Sequence, residues 1–102
     1  MEVLIPFNFE DAVSYMLKAL DLYDVHDYKS IAAHIKKEVE KAFTFWGTPE
    51  GDLVHPAECM EQLIEKVRRQ RVNIDGNVCT VMVTTLVLEF QYHMNRTLHM
   101  IS

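Results

Sequence analysis

Apolar side chains return along the first half of the chain at intervals of three and four. Phe9, Val13, Met16, Leu20 and Tyr23, with Ala12 and Ala19 between them, lay one stripe along a helix over about 9–23. Asn8 stands where an N-cap belongs, and Asp11 follows three residues later in a capping-box-like arrangement. Ahead of it, Val3-Leu4-Ile5 is a β-prone run closed by Pro6, which predicts a leading or edge strand. Asp24 to Asp27 is a polar turn. A second stripe of Tyr28, Ile31, Ile35, Val39, Ala42 and Phe43 then predicts a helix over about 28–43, whose other face carries Lys29, Lys36, Lys37, Glu40 and Lys41.

Phe45-Trp46 reads as an aromatic anchor, and Gly47 to Asp52 as a loop dense in turn formers. Pro56, after His55, suits the first turn of a third helix. Cys59, Met60, Leu63, Ile64 and Val67 continue it at helical spacing to an end near Arg71. Asn73 to Asn77 is a turn, and its Asp75-Gly76 is the kind of dipeptide that starts a hairpin. The last quarter carries two periods at once. Val78, Val81, Val83, Thr84, Thr85 and Val87 supply a β-branched load, and Leu86, Leu88, Phe90, Tyr92 and Met94 alternate with Glu89, Gln91, His93 and Asn95. A turn at Asn95-Arg96, followed by Leu98 and Met100, would continue that parity in a last strand. Cys79, Met82, Leu86, Phe90 and Met94 also describe a single helix over about 78–101. The β-branched content favours strands. No internal repeat is visible. The expected fold is α+β: two N-terminal helices packed on a small antiparallel sheet, an extra helix in the middle of the chain, one domain over 1–102, and a symmetric dimer.

Composition narrows the function classes. With 102 residues, 49% of them hydrophobic and 25% charged, the chain is one globular domain with a thin core that a partner subunit would complete. A net charge of −5 argues against a nucleic-acid partner. The basic cluster Lys66-Val-Arg-Arg-Gln-Arg71 reads as a solvated helix end suited to the C-terminal dipole, with contact to an acidic partner as the alternative. The apolar run from Val81 to Leu88 is too short to span a bilayer, so no membrane partner is expected. The start of the chain lacks a basic n-region and a long apolar stretch. Two cysteines, Cys59 and Cys79, are then expected as free thiols in a reducing, cytoplasmic compartment. There the sequon Asn95-Arg96-Thr97 is accidental.

The middle of the second helix reads Ile31-Ala-Ala-His-Ile-Lys-Lys-Glu38, and the first helix places Asp11, Val13, Ala19, Leu20 and Tyr23 at matching intervals. With Val3-Leu4-Ile5 and Trp46, these features resemble the eight-kilodalton class of dynein light chains over roughly the first 46 residues. The resemblance implies two helices on an antiparallel sheet completed by strand exchange between two subunits. It also implies linear peptide partners that add as a strand in a groove at the dimer interface. Lys29 falls at the family's groove-facing lysine. Tyr28 replaces a glutamate, and Gly76 to Val83 offers only a glycine start and β character for the groove strand.

Little chemistry competes with that reading. His34 and Glu38 are four apart on one helix without an HExxH motif, which favours a structural or interfacial histidine over a metal ligand. Facing its twin across a dimer axis, His34 would sense pH near about 6. His93 and His99 read as solvated strand residues, and His26 and His55 have no ligand-like neighbours. Cys59 and Cys79 sit in no nucleophile motif and read as small core residues. Gly47, Gly51 and Gly76, the only glycines, form no phosphate loop. No catalytic residue, metal or cofactor is expected. The expected function is a non-catalytic, homodimeric adaptor that binds a protein or linear peptide by strand addition beside the second helix. Lys29, Lys36, Val81 and Val83 would line the groove, and His34, Phe90 and Tyr92 the dimer interface. One alternative is a purely structural dimeriser whose segment 47–72 covers the sheet edge. Another is a small all-helical regulatory domain, if 78–101 is helical.

Overall fold

A computed structural model of the chain describes residues 4–46 and 51–101. Strand β1 (Ile5–Phe7) leads into helix α1 (Phe9–Leu22), and a short turn leads into helix α2 (Tyr28–Trp46). Strand β2 (Asp52–Val54) leads into helix α3 (Pro56–Gln70), and a second turn into helix α4 (Gly76–Ile101). The two strands pair antiparallel, with Ile5 opposite Val54 and Phe7 opposite Asp52. Pro6 sits inside β1 instead of ending it, tolerated because a two-stranded ribbon has free edges. Val3 and residues 47–50, part of the expected loop, lie outside the described residues. So do the side chains of Phe45, Trp46, Leu98, His99 and Met100, and with them the expected aromatic anchor and last strand positions.

The expected α+β class does not hold. Residues 78–101, read as strands, form most of α4, and the sheet is a two-stranded ribbon of three-residue strands. The physical reason lies in the buried positions. Val78 and Cys79, Met82 and Val83, Leu86 and Val87, then Phe90, are all buried. Adjacent pairs recurring every four residues share one side of a helix, whereas in a strand the two members of a pair point to opposite faces. The threonines lose little by being helical. Thr80 Oγ1 and Thr85 Oγ1 donate to the carbonyls of Gly76 (2.9 Å) and Val81 (2.7 Å), so neither hydroxyl is left orphaned. Asp75-Gly76 starts this helix and no hairpin: the Asn77 amide donates to Asp75 Oδ1 at 2.7 Å, and the Cys79 amide to the Asp75 carbonyl.

The chain also has an internal repeat of structure that its residues hide. Each half is a three-residue strand, one linking residue, a helix, a five-residue turn and a longer helix. Buried positions recur at a spacing of 47: Ala12 and Cys59, Met16 and Leu63, Leu20 and Val67, Ile31 and Val78, Ile35 and Met82, Val39 and Leu86, Phe43 and Phe90. The caps recur too, Asn8 with His55 at the first helix of each half and Asp27 with Asp75 at the second. Helix α1 packs on α3, α2 on α4, and each first helix on its own second helix, so exchanging the halves preserves these helix contacts. The core sits where α2 and α4 cross the α1–α3 layer, closed at one end by Phe7, whose ring lies 4.5 Å from that of Phe90. A chain of rings continues it, edge-on from Phe90 to Phe43 and stacked from Phe43 to His93. No buried polar residue interrupts the described core.

Candidate functional site

The residues expected to line a peptide groove do not converge. Lys29 and Lys36 are exposed on α2, Val83 is fully buried under α4, and Val81 is half-buried on α4. None of the four lies in the β1–β2 ribbon, so the described residues contain no sheet edge that they share. Of the residues expected at a dimer interface, Phe90 is a core residue at 3% exposure, while Tyr92 is 54% exposed. His34 is half-buried on α2, edge-on to Tyr23. Its Nε2 is enclosed with no hydrogen-bond partner, beside a shallow hollow of about 340 Å³ that Ser30, Lys37, Glu38 and Lys41 also line. Glu38 pairs with Lys41 at 3.6 Å and not with His34, four residues before it on the same helix.

Nucleophilic chemistry at the thiols is disfavoured by their surroundings. Burial pushes the Cys59 thiol up to about 12, and raises that of Cys79 against the opposing pull of Arg68. Both are free, buried and protonated near neutral pH. Among the described residues no group of three or more His, Cys, Asp and Glu side chains could hold a metal ion, and no helix is long and apolar enough to cross a membrane.

A depression of about 670 Å³ runs between α1 and α3 over Phe9, Val13 and Leu17. Three of its charged lining residues have local partners: Asp21 accepts from Arg71 across the two helices, Arg69 bonds Glu65, and Lys66 lies over the Phe9 ring at 5.7 Å. Of the basic cluster at the end of α3, Arg69 and Arg71 are thus ion-paired within the fold.

Along the outer face of α4 runs a stripe of uncharged positions. From Asn77 to Asn95 the outward positions are Asn77, Thr80, Val81, Thr84, Leu88, Gln91, Tyr92 and Asn95, with no formal charge among them. Leu88 is 58% and Tyr92 54% exposed. Within that span Glu89 and His93 lie 3.6 Å apart on the side turned to α2, where His93 stacks on Phe43. Thr80 turns its hydroxyl back to the helix backbone, so that polar group is already bonded within α4. No family model, no curated protein and no solved structure matches this chain. The face of α4 therefore has to be read on its own chemistry. Sequence reasoning placed Tyr92 at an interface but missed its neighbours Leu88, Thr84 and Val81 as one surface. The signal was present, a run from Gly76 to Leu88 with no Asp, Glu, Lys or Arg, and assigning it to strands hid it.

Proposed function

We propose that this chain is a non-catalytic protein-interaction domain whose working surface is the outer face of α4. The observation that carries the reading is the charge-free stripe itself. At 1.5 Å per residue, Asn77 to Asn95 spans about 27 Å. In a chain that is 25% charged, a stripe of that length holding two exposed large apolar side chains is the signature of a covered surface. The buried, protonated thiols support a binding role over a catalytic one. The reading belongs with the all-helical regulatory domain anticipated for a helical 78–101, and keeps the adaptor's non-catalytic character.

Site-specific photocrosslinking in the producing cell tests it. A photoreactive residue at Thr84 or Gln91 is expected to give protein adducts, while the same residue at Lys37 on α2 gives none. Equal crosslinking from both helices, or none from either, overturns the proposal.

A further inference from the structure

We infer that the occupant of this face is a second copy of the chain, joined through an antiparallel pair of α4 helices. The inference rests on the reading of α4 as an interaction surface and adds its partner.

The stripe is complementary to its own reversal. Reflected about position 86, Asn77 meets Asn95, Thr80 meets Tyr92, Val81 meets Gln91 and Thr84 meets Leu88. All eight outward positions are used, and the two largest side chains each fall opposite a threonine. Large side chains seated over small ones are what close helix packing requires, and an isologous contact requires the same patch to serve both partners. Charge agrees at the ends. Asp75 is exposed at the start of α4, and Arg96, over the Tyr92 ring at 5.7 Å, is exposed past the stripe's far end. Antiparallel pairing brings each Asp75 near the partner's Arg96 and opposes the two helix dipoles. Parallel pairing would juxtapose like charges. Two copies each carrying −5 repel, and a stripe without charge is the surface on which that repulsion is smallest. A patch one helix wide lies at the small end of specific interfaces, so the dimer is reversible, with a dissociation constant on the order of micromolar.

Sedimentation of the full chain from about 1 to 500 μM tests self-association. A reversible monomer–dimer equilibrium is expected, weakened at least tenfold by Leu88→Lys and unchanged by Lys37→Glu. A monomer throughout overturns the inference; the parent reading survives if Thr84 still crosslinks to a different protein in the cell, and falls with it if no adduct forms. Orientation is read from two single variants, Val81→Cys and Gln91→Cys, oxidised separately and mixed. Antiparallel pairing yields a disulfide dimer only in the mixture, because like positions lie ten residues apart along the axis. Disulfide dimers of each variant alone indicate a parallel pair and reject the arrangement. The native thiols are buried and stay out of this readout.

Discussion

Helices α2 and α4 hold equivalent places in the two halves of the molecule, and their inward sides are alike. Ile31, Ile35, Val39 and Phe43 on one correspond to Val78, Met82, Leu86 and Phe90 on the other, all buried. Their outward sides are not alike. The exposed positions of α2 from Lys29 to Thr44 are Lys29, Ala33, Lys36, Lys37, Glu40, Lys41 and Thr44, whereas those of α4 from Asn77 to Asn95 are Asn77, Thr80, Leu88, Tyr92 and Asn95. Packing constrains the inner side of each helix and leaves the outer side free. A difference confined to the outer side is therefore not one that the packing of the single chain requires.

The inner half of that comparison is open to the heaviest perturbation. Ile35→Ala and Met82→Ala each remove a fully buried side chain from equivalent sites, and each is expected to cost about 2–5 kcal/mol. Urea unfolding of both variants checks it. A loss below about 1 kcal/mol at Met82 alone, with the full loss at Ile35, would show that α4 is not packed as its counterpart is.

The ribbon that joins the halves is the next test. A Cβ on Gly51 would lie 2.1 Å from the backbone carbon and oxygen of Phe7, so the chain entering β2 passes against β1 at a distance only glycine permits. Gly51→Ala is expected to destabilise by about 1–3 kcal/mol, read from the shift in melting temperature. The neighbouring exposed Asp52→Ala is the control and is expected to leave the melting temperature unchanged.

Much of the fold is legible in the residues, and the parts that are not share a cause. Helices α1, α2 and α3 appear close to where the three- and four-residue spacings put them, because each has one apolar stripe and an opposing charged face that admits no second period. Residues 78–94 satisfy two periods. With no charged outer face to mark the helix, Leu88 and Tyr92 complete an alternation that the fold never uses. The repeat of halves is invisible for a related reason: burial conserves position and size class, not identity, so Met16 matches Leu63 and Ala12 matches Cys59. Of the candidate site, the strand reading placed Tyr92 at a dimer interface and Val81 in a peptide groove; on α4 Tyr92 is exposed and Val81 half-buried. Val83 and Phe90 were assigned outward only because the strand reading placed them so.

The thiols distinguish the halves by pH. Cys59 occupies the place of Ala12, and Cys79 lies beside Val78, the counterpart of Ile31. Burial holds the folded Cys59 thiol at about 12 against an ordinary value of 9.0, and raises that of Cys79. A folded-state value above the unfolded one gives stability that is complete below about pH 9 and lost as pH rises toward 12, because the unfolded chain ionises first. Stability measured from pH 7 to 11 should therefore fall above pH 9, and Cys59→Ala, which copies Ala12, should flatten that limb. An unchanged alkaline limb in Cys59→Ala would assign the loss elsewhere. At the acid end, hydrogen bonds from the Ser30 side chain and amide lower Asp27 below its ordinary 3.8, so its contribution at the start of α2 is present above pH 4 and fades below it.

The smallest expected effect falls on the outer faces, and its smallness is the point. Thr84→Lys on α4 and Lys37→Thr on α2 exchange the character of two solvent-facing sites. In the isolated monomer each should stay within about 0.5 kcal/mol of the parent, as surface changes away from caps and networks do. A partner that binds only the folded chain adds stability that grows with concentration. Unfolding midpoints compared at about 1 μM and at several hundred micromolar therefore separate the faces. The parent and Lys37→Thr should gain stability on concentration, and Thr84→Lys should not. If all three rise together, the pairing surface is not on α4. If Thr84→Lys is already less stable at the lower concentration, its outer face is part of the monomer's own packing, and the contrast between the two helices loses its meaning.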